Sequence, residues 1–218
     1  MLSLRIPSPG GKKRLNILCL GAHCDDIEIG CGGTLLALLQ SHNADVTWAT
    51  FSGTDERVGE YKASSKRFLR RAEFRQALTW DFPDGRFPGH FSDIKNAIET
   101  LKDLPKPDLI FSHERNDRHQ DHRVIAELTW NTFRDHLILE YEIPKYEGGL
   151  TTPNAFVELS RAQVERKIRI LLDCYKTQTK RRWFSDETFR SLIRIRGIEA
   201  NAKSGFAEGF HVEKLVIE

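Results

Sequence analysis

The sequence predicts an α/β protein: a Rossmann-like three-layer αβα sandwich around a mostly parallel sheet. Three observations predict it. Leu15-Asn16-Ile17-Leu18-Cys19-Leu20 is a nearly continuous apolar run closed by Gly21, as for a central parallel strand buried on both faces. Strand-like and helix-like segments alternate after it, a rhythm that makes parallel sheets. The two densest groups of His and Asp each stand close behind an apolar run, where a parallel strand would end. Open α/β sheets bind ligands at those carboxyl ends.

The elements follow in order. After Gly30-Cys31-Gly32-Gly33, Thr34 to Leu39 carries a helical run. Asp45 to Phe51, rich in β-branched and aromatic residues, reads as the second strand. Ser64 to Leu78 reads as a charged helix with Phe68, Ala72 and Leu78 facing the core. Asp93 to Leu104 is a helix stopped by Pro105 and Pro107. Asp108 to Ser112 is a short buried strand, and Asp121 to Phe133 the helix after it. His136 to Tyr141 and Ala155 to Leu159 look like strands. Ser160 caps a helix to Tyr175, Ser185 opens another ending near Arg196, and Val212 to Ile217 closes with a strand. Residues 1–14 read as a flexible leader without an apolar signal core, and residues 15–218 as a single domain.

Bulk composition narrows the function classes. Thirty-three Lys+Arg against 31 Asp+Glu give a net charge of +2, no case for nucleic acid. No apolar run approaches the roughly 20 residues of a membrane span. The cysteines Cys19, Cys24, Cys31 and Cys174 form no CxxC pair, which fits reduced thiols and a cytoplasmic location. Trp80, Trp130 and Trp183 leave room for a homo-oligomer. Lys176 to Arg182 reads as a solvated basic face.

The chemistry sits in two motifs, Gly21-Ala22-His23-Cys24-Asp25-Asp26 and His119-Gln120-Asp121-His122. A catalytic zinc takes three protein ligands and leaves a position for water. His23 and Asp26 are three residues apart, as are His119 and His122. A pair from the first motif and one histidine from the second would complete such a site. Amide hydrolysis then needs a base for the water, and Asp25 is placed for it. It also needs a donor for the oxyanion, for which His119 is a candidate. Asp121 would orient a histidine, and Glu28 would support the first loop. His113, at a strand end, is a candidate pocket residue, whereas His42, His90 and His136 read as structural. Without a metal, both motifs reduce to capped helix starts.

Ala22-His23-Cys24-Asp25-Asp26-Ile27-Glu28, followed by Gly30-Cys31-Gly32-Gly33-Thr34, closely resembles the signature of the PIG-L/LmbE-like zinc de-N-acetylases. Asp117-Arg118-His119-Gln120-Asp121-His122 matches the second signature. Weaker matches are Arg71-Ala72-Glu73, Tyr141-Glu142 and Ala207-Glu208-Gly209-Phe210. The resemblance implies hydrolysis of the N-acetyl group of an N-acetylated sugar of the N-acetylglucosamine type, releasing acetate and a free amine. It implies one Zn2+ per chain on His23, Asp26 and His122, Asp25 as base, and His119 as acid or oxyanion donor. Arg71 would hold substrate. The family has proline where this chain has Cys24, which reads as an inert buried thiol.

Two other classes compete. A non-haem Fe(II) oxygenase also uses two histidines and a carboxylate, but would leave Asp25 without a role. A nonenzymatic sugar- or nucleotide-binding module would need none of the acid/base residues. The spacing of Gly21, Gly30, Gly32 and Gly33 is not that of a dinucleotide fingerprint. The aglycone is expected to be read by residues 53–61, 84–91 and 145–152. Their Arg57, Arg86, Lys145 and Tyr146, with Lys62 just beyond the first, suggest a carboxylate-, phosphate- or nucleotide-bearing sugar.

Overall fold

The computed structural model describes residue 6 and residues 14–216. The expected leader lies almost wholly outside the described residues. The strands are β1 (Leu15–Gly21), β2 (Ala44–Thr50), β3 (Phe74–Thr79), β4 (Leu109–His113), β5 (Leu137–Tyr141), β6 (Ala155–Glu158) and β7 (Ala207–His211). The helices are α1 (Asp26–Ser41), α2 (Asp55–Phe68), α3 (Phe91–Thr100), α4 (Gln120–Thr132), α5 (Arg161–Cys174) and α6 (Asp186–Glu199).

One sheet of order β3-β2-β1-β4-β5-β7-β6 runs through the molecule. The first five strands in the sequence are parallel, and β7 lies antiparallel between β5 and β6. Helices α1, α2, α5 and α6 cover one face over a core that includes Ile17, Trp48, Tyr61 and Phe111. Helices α3 and α4 cover the other, over Leu18, Leu20, Ile110 and Ile125. The order of strands reverses between β1 and β4, so a crevice opens at their carboxyl ends. Both motifs begin there.

Three expectations need correction. The helix expected over 64–78 is α2, which starts at Thr54, whose Oγ1 accepts the Arg57 N–H at 3.5 Å. After Phe68 come a 3-10 turn and the edge strand β3. Phe68, wedged against Trp48 and Gly32, ends the helix. β3 has no fully buried residue, so alternating burial leaves little trace in its sequence. The helix expected from Thr34 begins at Asp26, so the glycines lie inside it. A Cβ at Gly30 would stand 2.1 Å from the Tyr141 ring, and one at Gly33 2.5 Å from Leu159. Close packing overrides their poor helix propensity, about 1 kcal/mol each. The last strand is Ala207–His211 rather than Val212 to Ile217. Its register is set by Glu208, whose carboxylate is buried against α1.

Candidate active site

After β1 the chain turns through Ala22–Asp25 and enters α1 at Asp26. Asp25 occupies the N-cap position, yet its side chain makes no capping bond. Its Oδ1 instead accepts from Arg57 Nη2 at 2.7 Å. Asp26 Oδ2 accepts from the His23 N–H at 2.6 Å. The two carboxylates are therefore not spent on the helix end. Cys24 Sγ donates to the Ser52 carbonyl at 3.4 Å, and burial pushes the thiol up to about 12. Burial and the raised thiol both disfavour the reactive thiolate.

After β4 the loop folds on Asp117. Its Oδ1 accepts the His119 N–H at 2.7 Å. Its Oδ2 lies 3.1 Å from His122 Nδ1 and accepts from Lys145 Nζ at 2.6 Å. His119 is the N-cap of α4, its Nδ1 accepting the Asp121 N–H at 3.3 Å. This leaves Nε2 of a neutral His119 carrying the proton. Asp121 Oδ2 lies 3.2 Å from His23 Nε2, and its two oxygens accept from the Gly85 and Phe87 N–H groups at 2.6 and 3.1 Å. Asp121 thus orients a histidine, but the one in the other motif. It also pulls residues 84–87 onto the site, bringing Asp84 Oδ1 within 3.0 Å of His23 Nε2.

With Nδ1 of His122 and Nε2 of His23 held by carboxylates, the other ring nitrogens face each other and Asp26. His23 Nδ1 and His122 Nε2 are 3.3 Å apart. His23 Nδ1 is 3.3 Å from Asp26 Oδ2, and His122 Nε2 is 3.5 Å from Asp26 Oδ1. Ligand atoms about 2.0–2.1 Å from a tetrahedral ion lie about 3.3–3.4 Å apart, so this donor set fits a divalent metal. Second-sphere carboxylates on the remote nitrogens are the usual companions of metal-bound histidines. His119 also reaches the cluster, with donor atoms of His23, His119 and His122 within 4.8 Å of one another.

The electrostatics agree. Asp25 is paired by Arg57 and Asp117 by Lys145. Among the described residues, the side chains of opposite charge within 4.0 Å of Asp26, Asp84 and Asp121 are all histidines. Burial disfavours a charged His23, but Asp26 and hydrogen bonds to Asp121, Asp26 and Asp84 outweigh it and lift it well above the usual value. Burial likewise opposes the Asp26 charge, and His122, His113 and His23 hold it well below. Asp25 is raised, because burial and Asp26 exceed the help from Arg57. Burial brings His122 down to about 3, leaving a neutral ligand nitrogen. Burial and then His23 lower His119, which favours its neutral form.

One expected residue lies elsewhere, and another lies beneath the cluster. Arg71 is exposed on the 3-10 turn after α2 and lines a groove with Leu36, Leu39 and Gln40, near the far end of α1. Ten to 14 residues of helix, about 15–21 Å, separate those residues from Asp26. Arg57 is the arginine at the site; the sequence signalled it only as loop charge. His113 is fully buried, its ring stacked on His122 at 3.9 Å and its Nε2 accepting the Ala22 N–H at 2.9 Å. It forms the floor of the cluster rather than a surface for substrate. Glu28 is buried beneath the first loop, bonded to Tyr175, and pushed up by burial to about 8. His211 Nε2 lies 2.7 Å from the Thr151 hydroxyl. Trp80 stacks on Phe51, Trp130 lies under Arg115 and Lys214, and Trp183 packs on Phe184 and Phe189.

Comparison with known proteins bears on the reaction. The chain is 33% identical over 141 residues to the uncharacterized deacetylase YaiS of Escherichia coli K12, covering 61% of this chain and 76% of that one. Its fold resembles the N,N′-diacetylchitobiose deacetylase of Pyrococcus horikoshii, with TM-score 0.65, 16% identity, and 91% and 83% of the chains covered. It equally resembles GalB, the 4-carboxy-2-hydroxymuconate hydratase of Pseudomonas putida KT2440, with TM-score 0.71, 14% identity, and 94% and 98% covered. At such identities the likeness speaks for the fold, which hosts more than one reaction. The model of one family, GlcNAc-PI de-N-acetylase, matches residues 18–133, which contain both motifs and more than half of the chain. The chain belongs to this PIG-L family of de-N-acetylases, and removal of an N-acetyl group from an acetylated sugar conjugate is its reaction.

Proposed function

We propose that this protein is a zinc-dependent deacetylase of an N-acetylglucosamine-type sugar, with the metal held by His23, Asp26 and His122. The observation behind this reading is the mutual 3.3–3.5 Å spacing of those three residues' donor atoms, with a carboxylate on the far nitrogen of each histidine. When bound, zinc would polarise the acetamide carbonyl and acidify water.

The chain's own residues then divide the work. Asp25, ionised beside Arg57, accepts the proton of the attacking water. His119 donates its Nε2–H to the carbonyl oxygen as negative charge develops there. A neutral imidazole in this tautomer suffices, consistent with its lowered pKa. The proton collected by Asp25 returns to the leaving nitrogen, so acetate and amine depart. Arg57 holds the base in place, and Asp121 and Asp117 fix the ligand tautomers.

The basic loop residues offer less to an anionic conjugate than their number suggested. Arg57 and Lys145 are committed to Asp25 and Asp117, and Asp84 presents a carboxylate at the mouth. A neutral acetylated sugar is the better fit. The four free cysteines support a reducing compartment, the cytoplasm. No described helix is long and apolar enough to cross a membrane.

The deciding experiment is acetate release from a panel of N-acetylglucosamine conjugates with protein as purified, chelated and zinc-repleted. Release that chelation stops and zinc restores is the expected result. A protein that binds one zinc and releases acetate from none of them would overturn the substrate class; one that binds no zinc would overturn the site.

A further inference from the structure

Arg71, which the catalytic cluster does not use, shares its groove with a second arginine. The groove holds about 210 Å³ between the far end of α1 and the start of α5, and Arg166 of α5 lines it with Arg71. Leu36, Leu39 and Phe68 give it apolar walls, and among the described residues no acidic side chain lines it. Arg70 and Arg71 end the 3-10 turn Leu69–Arg71. Arg166 stands in the second turn of α5 and is held there, its Nη2 donating to the Arg67 carbonyl at 3.0 Å. The acids of α5 are committed elsewhere. Asp173 Oδ2 accepts from Arg67 at 2.9 Å, and Glu165 Oε1 from Arg190 at 2.8 Å. Burial and then the charges of Arg71, Arg70 and Arg67 push Arg166 below the usual arginine value, and no carboxylate opposes them. Cations at the end of a helix complement its dipole, which accounts for Arg67, Arg70 and Arg71. It does not account for Arg166, which another helix places among them. Like charges gathered beside apolar walls repel one another, and an anion would relieve them.

We propose that this groove binds a phosphate group, carried by a small soluble molecule or by a lipid headgroup, with Arg71 and Arg166 as its principal contacts. The site is separate from the deacetylase centre, because Leu36 and Gln40 lie well along α1 from Asp26. A carboxylate offers one charge and two oxygens. A phosphate monoester offers about 1.5 to 2 charges and three acceptor oxygens, enough to meet guanidinium forks from two elements. Ser160 also lines the groove; its Oγ accepts the Gln163 N–H at 3.3 Å, which leaves the hydroxyl hydrogen to donate. The apolar walls strengthen the field of the arginines in the groove.

Calorimetric titration of the full chain with inorganic phosphate, zinc-loaded and chelated, tests the site. One phosphate per chain should bind in both states. Arg71→Gln/Arg166→Gln should weaken it at least about tenfold, since both charged forks are lost. Arg71→Glu, a change at one exposed side chain, should do the same. Arg181→Gln/Arg182→Gln removes equal charge from a solvated stretch and should leave affinity within about twofold. Binding that needs zinc, that survives loss of both groove arginines, or that falls as far in the control would overturn the site. Flotation with phosphatidylcholine vesicles, with and without phosphatidic acid, identifies the carrier. Retention only with phosphatidic acid, lost in Arg71→Glu, assigns a lipid headgroup. Phosphate binding without retention assigns a soluble molecule, and neither binding nor retention would overturn the proposal.

Discussion

Helix α1 carries two buried polar clusters, and they are built on opposite principles. In its middle, Glu208 accepts from the Gly33 and Thr34 N–H groups at 2.8 and 2.6 Å, and Lys167 Nζ donates to Glu208 at 2.6 Å and to the Ile29 carbonyl at 2.5 Å. One buried cation meets one buried anion, and the backbone satisfies what remains. At its start, Asp26 and its companions Asp84 and Asp121 have histidines as their only ion-pair partners among the described residues, and three donor atoms converge. A buried cluster that closes on itself holds the fold. One that leaves acceptors converging, with the neutral His122 imidazole among them, is suited to a cation. The same helix therefore separates scaffold from chemistry within two turns.

The sharpest break of this contrast is at the metal ligands. Asp26→Ala or His122→Ala should abolish stoichiometric zinc by elemental analysis, and deacetylation with it. Asp25→Asn should keep zinc at one per chain while kcat falls by about 10²–10⁴; turnover near wild type would remove Asp25 as the base. On the scaffold side, Lys167→Met should cost about 3–5 kcal/mol in denaturant unfolding, because it leaves Glu208 buried without its cation. Its zinc content should not change, and a loss of zinc would merge the two clusters that the structure separates.

Smaller effects sharpen the boundary. Arg57 opposes the burial that raises Asp25. Removing this cation makes the carboxylate harder to ionise, so the base form appears only at higher pH. Arg57→Met should move the acid limb of the kcat/KM profile upward by about one unit, the size of a single ion-pair contribution. An unmoved limb would mean that Arg57 does not set the base. Cys24→Ala should leave zinc content and kcat within about twofold. Its thiol is buried on the Ser52 carbonyl, so only a small packing loss of about 1 kcal/mol is expected in thermal unfolding.

Much of the site was legible because its chemistry is local. His23, Asp25 and Asp26 lie within one turn, and His119, Asp121 and His122 within another, and each group follows a strand whose apolar run marks it. The strand β3 was not legible, because an exposed edge strand of six residues lacks the alternation that burial imposes. The start of α1 was hidden by glycines that distant residues such as Tyr141 and Leu159, more than a hundred residues away, explain. Arg71 and Arg57 could not be told apart by sequence, since both are arginines near the second and third strands. Their difference is which end of the neighbouring helices they face.

By itself the sequence determined the alternating α/β architecture, the two chemical motifs and their family, because these depend on short-range periodicity and residue type. Tertiary structure alone decided the pairings. Asp121 serves His23 from the opposite motif, Asp117 serves His122, Arg57 holds Asp25, and Lys145 pairs with Asp117. Each of these joins atoms through side-chain directions set where β1 and β4 part, and a crevice at a strand-order reversal is a property of the sheet that no single segment contains.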